Sequence, residues 1–284
     1  MSRGVKKWSE DHILKLQREG RGQGRLASYI PWVWITDFYS QGRTHEAWSR
    51  KTGRTHQLLS DGEHQAFLLL QWAHDVVDIR EQYPLDRDIT REIASSLGIR
   101  HPSYPRTHVP VVMTLDFLVT KVVNGSEAFE AFSVKTSEDL EDVATVEKLE
   151  IERSSCEALG IPFRLLVKEL LPGQKARTLE WIEDGELKEL EAEPWEDFYA
   201  DHMTRMLQDI PMRRYDGPLS EYCIDYDRRN GLEAGTGLRI ARMLLSQRAL
   251  SIDLNNPAPW QTPMSCVHAS ALPSRLRLAN VGGN

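Results

Sequence analysis

Two apolar, β-branched runs, Val111–Val123 and Glu127–Lys135, flank an Asn124-Gly125 pair, and this arrangement constrains the fold more than any other part of the sequence. Asn-Gly supplies the two positive-φ residues of a two-residue hairpin turn, so the runs are predicted to fold back as antiparallel neighbours. With Asn124 and Gly125 central to the turn, Val123 faces Ser126 and the register follows for the whole hairpin. It sets Asp116 opposite Ser133 and brings Lys135 onto the same face, one pleat along and within diagonal reach of Asp116. An Asp and a Lys so placed fit either a cross-strand ion pair at a sheet edge or a catalytic pair. The residues alone leave both readings open.

The flanking segments say which sheet the hairpin joins. Ser60–His74 carries Ala66, Phe67, Leu69, Leu70 and Ala73 on one helical face, and Val76–Gln82 then reads as a strand. A second helix is predicted over Glu138–Leu159, stopped by Gly160, with a strand at Ile161–Val167 after it. Helix, three strands, helix, strand is an α/β order, and the helical crossover before the last strand predicts a parallel pair in a mixed sheet. Upstream, Ser9–Glu19 reads as a helix capped by Ser9, and Tyr29–Phe38 as a strand-like segment. After Pro172-Gly173 the texture changes. Helices are predicted at Lys175–Asp184, Leu219–Asp227 and Gly237–Gln247, with an acidic linker or partner-facing stretch over Glu183–Asp197 and a short strand at Leu250–Leu254. Helices closed by a short strand suit a winged-helix-like module. The expected organisation is a catalytic domain over 1–172, a small C-terminal domain over 173–255 and a flexible extension over 256–284.

Composition narrows the class. The longest apolar stretch, Val109–Val123, is interrupted by Asp116 and Lys121, which excludes a helical membrane span there. Lys6, Lys7 and Trp8 lead into a polar helix and not the apolar core of a signal peptide. Three widely spaced cysteines, Cys156, Cys223 and Cys266, argue against a disulfide framework or zinc cluster and for a cytoplasmic protein. The net charge of −7 is unevenly spread: residues 1–56 hold eleven Lys/Arg against five Asp/Glu, and residues 137–200 hold seven against eighteen. Arg21, Arg25, Arg43, Lys51 and Arg54 in the basic part are candidates for phosphate contacts, although each taken singly reads first as ordinary surface charge.

Glu63 also carries two readings. Ser60-Asp61-Gly62-Glu63 fits a capping box, in which the glutamate reaches back to the helix start. Glu63 also precedes Phe67 and Leu70 by helical spacing, which turns it inward. Beside Asp116 it would complete a set of hard oxygen donors suited to magnesium or manganese. Gln82, at the end of the first strand, borders the same place, and Arg80 reads as an ion-pair partner.

The stretches REGRGQGR, YIPWV, SRKTGRTHQLLSDGE, DIREQYPL, GIRHP, TLDFLV, SVK and VEKLEIER together resemble the TnsA family, the nuclease subunits of heteromeric transposases, through most of residues 9–170. The resemblance implies a restriction-endonuclease-like αβββαβ core followed by a winged-helix-like domain. It implies Glu63, Asp116 and Lys135 as the catalytic set, and Glu63, Asp116 and the Val134 carbonyl as ligands of one or two Mg2+ ions, with Mn2+ able to substitute. It implies cutting at the 5′ ends of a transposon, with a TnsB-like transposase acting on the 3′ ends and a TnsC-like ATPase as regulator. One position departs from the family: Ser133 stands where an acidic or amide side chain is expected, leaving charge neutralisation to Asp116 and Glu63. Glu152 matches a family acidic position, although its spacing alone reads as a solvent-facing helix charge. Two other functions stay open at this point, a non-catalytic DNA-binding adaptor and a solitary restriction-like nuclease.

Overall fold

The computed structural model describes residues 8–37, 43–188, 191–213 and 215–270. The chain divides into two units, residues 1–171 and 172–284.

The first unit runs α1 (Glu10–Arg18), β1 (His45–Ser49), β2 (Arg54–Leu58), α2 (Asp61–Trp72), β3 (Val76–Pro84), α3 (Arg87–Leu97), β4 (Thr114–Val123), β5 (Ser126–Lys135), α4 (Val143–Ala158) and β6 (Phe163–Val167). Its main sheet has the order β3-β4-β5-β6, antiparallel except for the parallel β5–β6 pair that the α4 crossover produces. Asn124 (φ 51°) and Gly125 (φ 80°) form the β4–β5 turn, and the register runs from Val123↔Ser126 to Phe117↔Phe132 as the turn requires. There the ladder stops. β4 continues back to Thr114 against β3, while β5 continues to Lys135 against β6, so the two hairpin strands part company at Asp116.

Helices cover both faces of this sheet. Ala66, Phe67 and Leu70 of α2 pack with Leu58, Ile79, Phe117, Val119, Phe132 and Val134. On the other side Ala94 of α3 and Ile151 and Cys156 of α4 pack with Leu115, Leu118 and Ala131. Each large side chain buried this way contributes roughly 1.5–3 kcal/mol relative to exposure, so the layers are held by α2 and α4 more than by hydrogen bonds.

Several elements differ from the sequence expectations. Tyr29–Phe38 forms no strand over its described part, 29–37. Tyr29 and Trp32 are buried as separate anchors, and the Trp32 amide bonds to the Gln82 carbonyl and not to a neighbouring strand; Phe38 lies outside the described residues. The β1–β2 hairpin and α3 were not expected. α3 is polar and buries only Thr90 and Ala94, but Asp86 caps its amides and Gly98 (φ 68°) ends it. α4 begins at Val143 because Asp142 accepts from the amides of Ala144 and Thr145.

The second unit contains α5 (Gly173–Glu183), α6 (Phe198–Met212), α7 (Leu219–Asn230), α8 (Thr236–Ser246), β7 (Leu250–Ser251) and β8 (His268–Ala269). Leu179, Ile182, Met203, Tyr222, Tyr226, Ile240 and Leu244 are buried within it. The buried Asp227 of α7 caps α8, accepting from Gly235 N (2.9 Å) and Gly237 N (2.6 Å). α6 was not expected, the strand at Leu250 is two residues long, and part of the acidic stretch folds back through a Glu191–Arg239 ion pair. Of the expected C-terminal extension, residues 271–284 lie outside the described residues. Cys156, Cys223 and Cys266 are free thiols, and no helix among the described residues is long and apolar enough to cross a membrane.

Candidate active site

Glu63 arrives on the first turn of α2, turned inward as its spacing predicts, but its carboxylate meets the Leu59 amide and the Ser60 hydroxyl and not the Ser60 amide that a full capping box would use. Its amide donates to Ser60 Oγ (3.1 Å), that hydroxyl donates to Glu63 Oε1 (3.1 Å), and Leu59 N donates to Oε2 (2.9 Å). The capping contacts therefore fix the carboxylate while it points inward, at 6 % exposure. Gly62 makes the approach possible, since a Cβ there would stand 3.1 Å from Val134 Cγ1. An alanine there would require the Val134 side chain to give way by a few tenths of an ångström.

Asp116 sits where β4 and β5 separate. Its Oδ2 accepts from Val134 N (2.6 Å) and from Lys135 Nζ (3.2 Å), so the side chain replaces the missing main-chain partner of Val134. Lys135 Nζ also donates to Val134 O (2.9 Å). The ammonium thus bridges two of the oxygens expected to face a cation. Ser133, buried at 1 %, donates to Glu152 Oε2 (2.6 Å), and Glu152 is itself 8 % exposed. This corrects the solvent-facing reading of Glu152: α4 turns it onto the sheet, and the short serine leaves room for its carboxylate. Gln82 completes the group by donating from Nε2 to Glu63 Oε2 (3.2 Å), while Thr114 Oγ1 donates to Gln82 Oε1 (3.2 Å).

The electrostatics follow from this crowding. Burial, with the Asp116 charge adding to it, pushes the Glu63 carboxyl up to about 8. The same two causes, in the same order, push Glu152 up to about 7. Burial opposes the charge on Lys135, but Asp116 and then Glu152 outweigh it and hold the ammonium above its ordinary pKa. Three carboxyl groups thus surround one ammonium, and the site is short of positive charge. Among the described residues no three His, Cys, Asp or Glu side chains form a metal cage. Two carboxylates, the Val134 carbonyl and water are nonetheless a hard-oxygen donor set, which fits Mg2+ or Mn2+ by its chemistry and by its unbalanced charge.

The basic candidates separate by exposure. Arg54 (8 % exposed) is committed to the buried Glu81, and Arg21 to Asp37, the Trp32 carbonyl and the Trp34 ring, so neither guanidinium faces solvent as a phosphate contact would. Lys51 donates to the Ala73 carbonyl at the end of α2 (2.6 Å). Arg25 is half exposed and bonds Glu127 (2.7 Å), and Arg43 is exposed. Sequence reasoning missed the buried network behind Arg54: Glu81 accepts from Arg54 Nη1 (2.7 Å), His56 Nδ1 (2.7 Å) and Gln57 N (3.1 Å), and His56 Nε2 meets Thr52 Oγ1 (2.8 Å). Alternation of Arg54 and His56 along β2 was its sole signal.

The strands that carry this site lie within a stretch that matches a known family. A family profile described as TnsA-like endonuclease N terminal matches residues 73–168, which include Asp116, Ser133, Lys135 and Glu152. The transposon Tn7 transposition protein TnsA of Escherichia coli is 42 % identical over 194 residues, 68 % of this chain and 70 % of that protein. With that identity over that share of both sequences, and an endonuclease profile spanning the hairpin and its crossover, the chain belongs to the TnsA-like endonuclease family.

Proposed function

We propose that this chain is the endonuclease that cuts the 5′ ends of a transposon during cut-and-paste transposition, with a divalent metal as cofactor. The observation that carries this reading is the gathering of Glu63, Asp116 and Lys135, from a helix and two parting strands, around a place short of positive charge. Family membership supports it, since the Tn7 relative is named as a transposition protein. Glu63, Asp116 and the Val134 carbonyl are the residues that would hold Mg2+, or Mn2+ in its place. A divalent ion bound there supplies water activation and charge stabilisation for phosphodiester hydrolysis. Lys135, fixed between Asp116 and Val134 O, orients the attacking water and offsets charge on the phosphate. Ser133 hydrogen-bonds Glu152, whose carboxyl feels the charges of Asp116 and Lys135, and this weighs against reading the serine as the mark of an inactive adaptor.

The partners in this reading are transposon-end DNA, a TnsB-like transposase and a TnsC-like ATPase. The second unit is assigned as a winged-helix-like partner module on the strength of the short α7–α8 turn and the β7–β8 pair that follows. The test is a reconstituted excision reaction with end-labelled transposon DNA. Asp116→Ala and Lys135→Ala chains are expected to leave 3′ cutting intact and to lower 5′ cutting by about 10²–10³-fold or more. Wild-type levels of 5′ cutting by either variant would sink the assignment. Cross-links from DNA or the ATPase to residues 172–270 are expected in the same complex, and their absence removes the winged-helix part of the reading.

A further inference from the structure

β3 breaks its own alternation. Ile79 packs among the residues under α2, and Glu81, two positions on, meets Arg54 and His56 of β2 on that side. Strict alternation would then send Gln82 to the α4 side and return Tyr83 to the α2 side. The reverse is found: Tyr83 packs with the residues under α3 and α4, and the Gln82 amide reaches Glu63 on α2. The reversal happens at Gln82 itself, whose φ is 47°, while pairing with β4 keeps count from Glu81↔Phe117 to Tyr83↔Leu115.

A left-handed backbone at a glutamine inside a strand is disfavoured, and it persists where the surroundings enforce it. Trp32 N donates to the Gln82 carbonyl (3.3 Å), and Thr114 Oγ1 donates to its side-chain Oε1 (3.2 Å). A carboxylate only accepts, so the Nε2 end of the amide meets Glu63, and the Thr114 hydroxyl, donating to Oε1, holds the other end in place. Glu63 Oε2 then takes two donors, Leu59 N and Gln82 Nε2, and Oε1 takes one, Ser60 Oγ.

We propose that Gln82 is a positioning residue: turned to the α2 side by its left-handed backbone and held at its Oε1 end by Thr114, it fixes Oε2 of Glu63 and leaves the remaining lone pair of Oε1 of Glu63 for a divalent cation. The inference rests on reading Glu63 as a cation-holding residue. Gln82 touches neither the cation nor DNA; it acts through Glu63.

The test titrates the purified full chain with Mn2+ by calorimetry and records metal-free melting. Glycine adopts the left-handed conformation freely, so Gln82→Gly removes the amide without backbone strain. Its metal-free melting temperature is expected to match or exceed wild type, while its Mn2+ affinity falls about 10–100-fold, the usual cost of losing a group that orients a ligand. Thr114→Val, which keeps Gln82 and frees its amide, is expected to show a smaller fall. Wild-type Mn2+ affinity in Gln82→Gly overturns the proposal, and if that variant melts well below wild type, wild-type affinity in Thr114→Val does so instead. Glu63→Gln separates the two layers of the argument. Should it bind Mn2+ like wild type, the site reading fails and takes Gln82 with it; should it lose Mn2+ while Gln82→Gly does not, only the role of Gln82 is refuted.

Discussion

Glu81 and Glu63 are both buried carboxylates, linked through adjacent residues of β3, yet they live in opposite company. Glu81 faces a guanidinium, an imidazole and a main-chain amide. Burial works against its charge, but His56 and Arg54 outweigh it and hold the carboxyl down at about 2. Glu63 has only neutral donors, Leu59 N, Ser60 Oγ and Gln82 Nε2, and its carboxyl is driven up. Perturbation by itself therefore does not mark a functional group; its direction does. A buried carboxylate already matched by an internal guanidinium is a strut that ties β2 to β3. One left short of positive charge is where a cation from outside has most to offer.

The sharpest way to break this contrast is to remove the strut. Glu81→Gln leaves Arg54 and His56 buried without their acid, and a stability loss of about 3–5 kcal/mol is expected in urea melts. A wild-type melt would mean that the network contributes nothing and that the two carboxylates differ less than their partners suggest.

Next in size is the response to pH. Glu63 and Glu152 keep their protons in the folded chain at pH values where the unfolded chain has lost them. Metal-free stability is thus expected to fall as pH rises from 5 toward 8, on the order of 1 kcal/mol per pH unit. Glu81 has the opposite sign: its contribution is present above the ordinary carboxylate range and is lost as pH falls toward about 2. Melts in EDTA across this range should show both edges, and Glu63→Gln should flatten the upper one. A level profile between pH 5 and 8 in the wild-type chain contradicts the charge imbalance at the site.

The smallest expected effect belongs to Ser133→Ala. It removes one hydrogen bond to Glu152, a loss of about 0.5–1.5 kcal/mol, with 5′ cutting lowered less than about tenfold. A loss as deep as that of Asp116→Ala would make Ser133 a principal member of the site and not a support for Glu152.

Much of the site was legible because turn chemistry and strand parity are local. Asn124-Gly125 fixed the register that brings Lys135 to Asp116, and helical spacing turned Glu63 inward. What stayed hidden depends on partners distant in the chain. Arg54 and His56 look like surface residues until Glu81, 27 and 25 positions on, is folded against them. Glu152 looks solvated until the small side chain of Ser133 makes room for it. The face reversal at Gln82 is invisible to any alternation rule, because the residue that breaks the rule is not a glycine.

The parting of β4 and β5 has one more consequence. Since Asp116 serves as the stand-in acceptor for the Val134 amide, anything that draws that carboxylate away sets the N–H loose. Deuterium uptake at this single peptide group then becomes a gauge of what Asp116 is holding, readable in solution without a strand ever being cut.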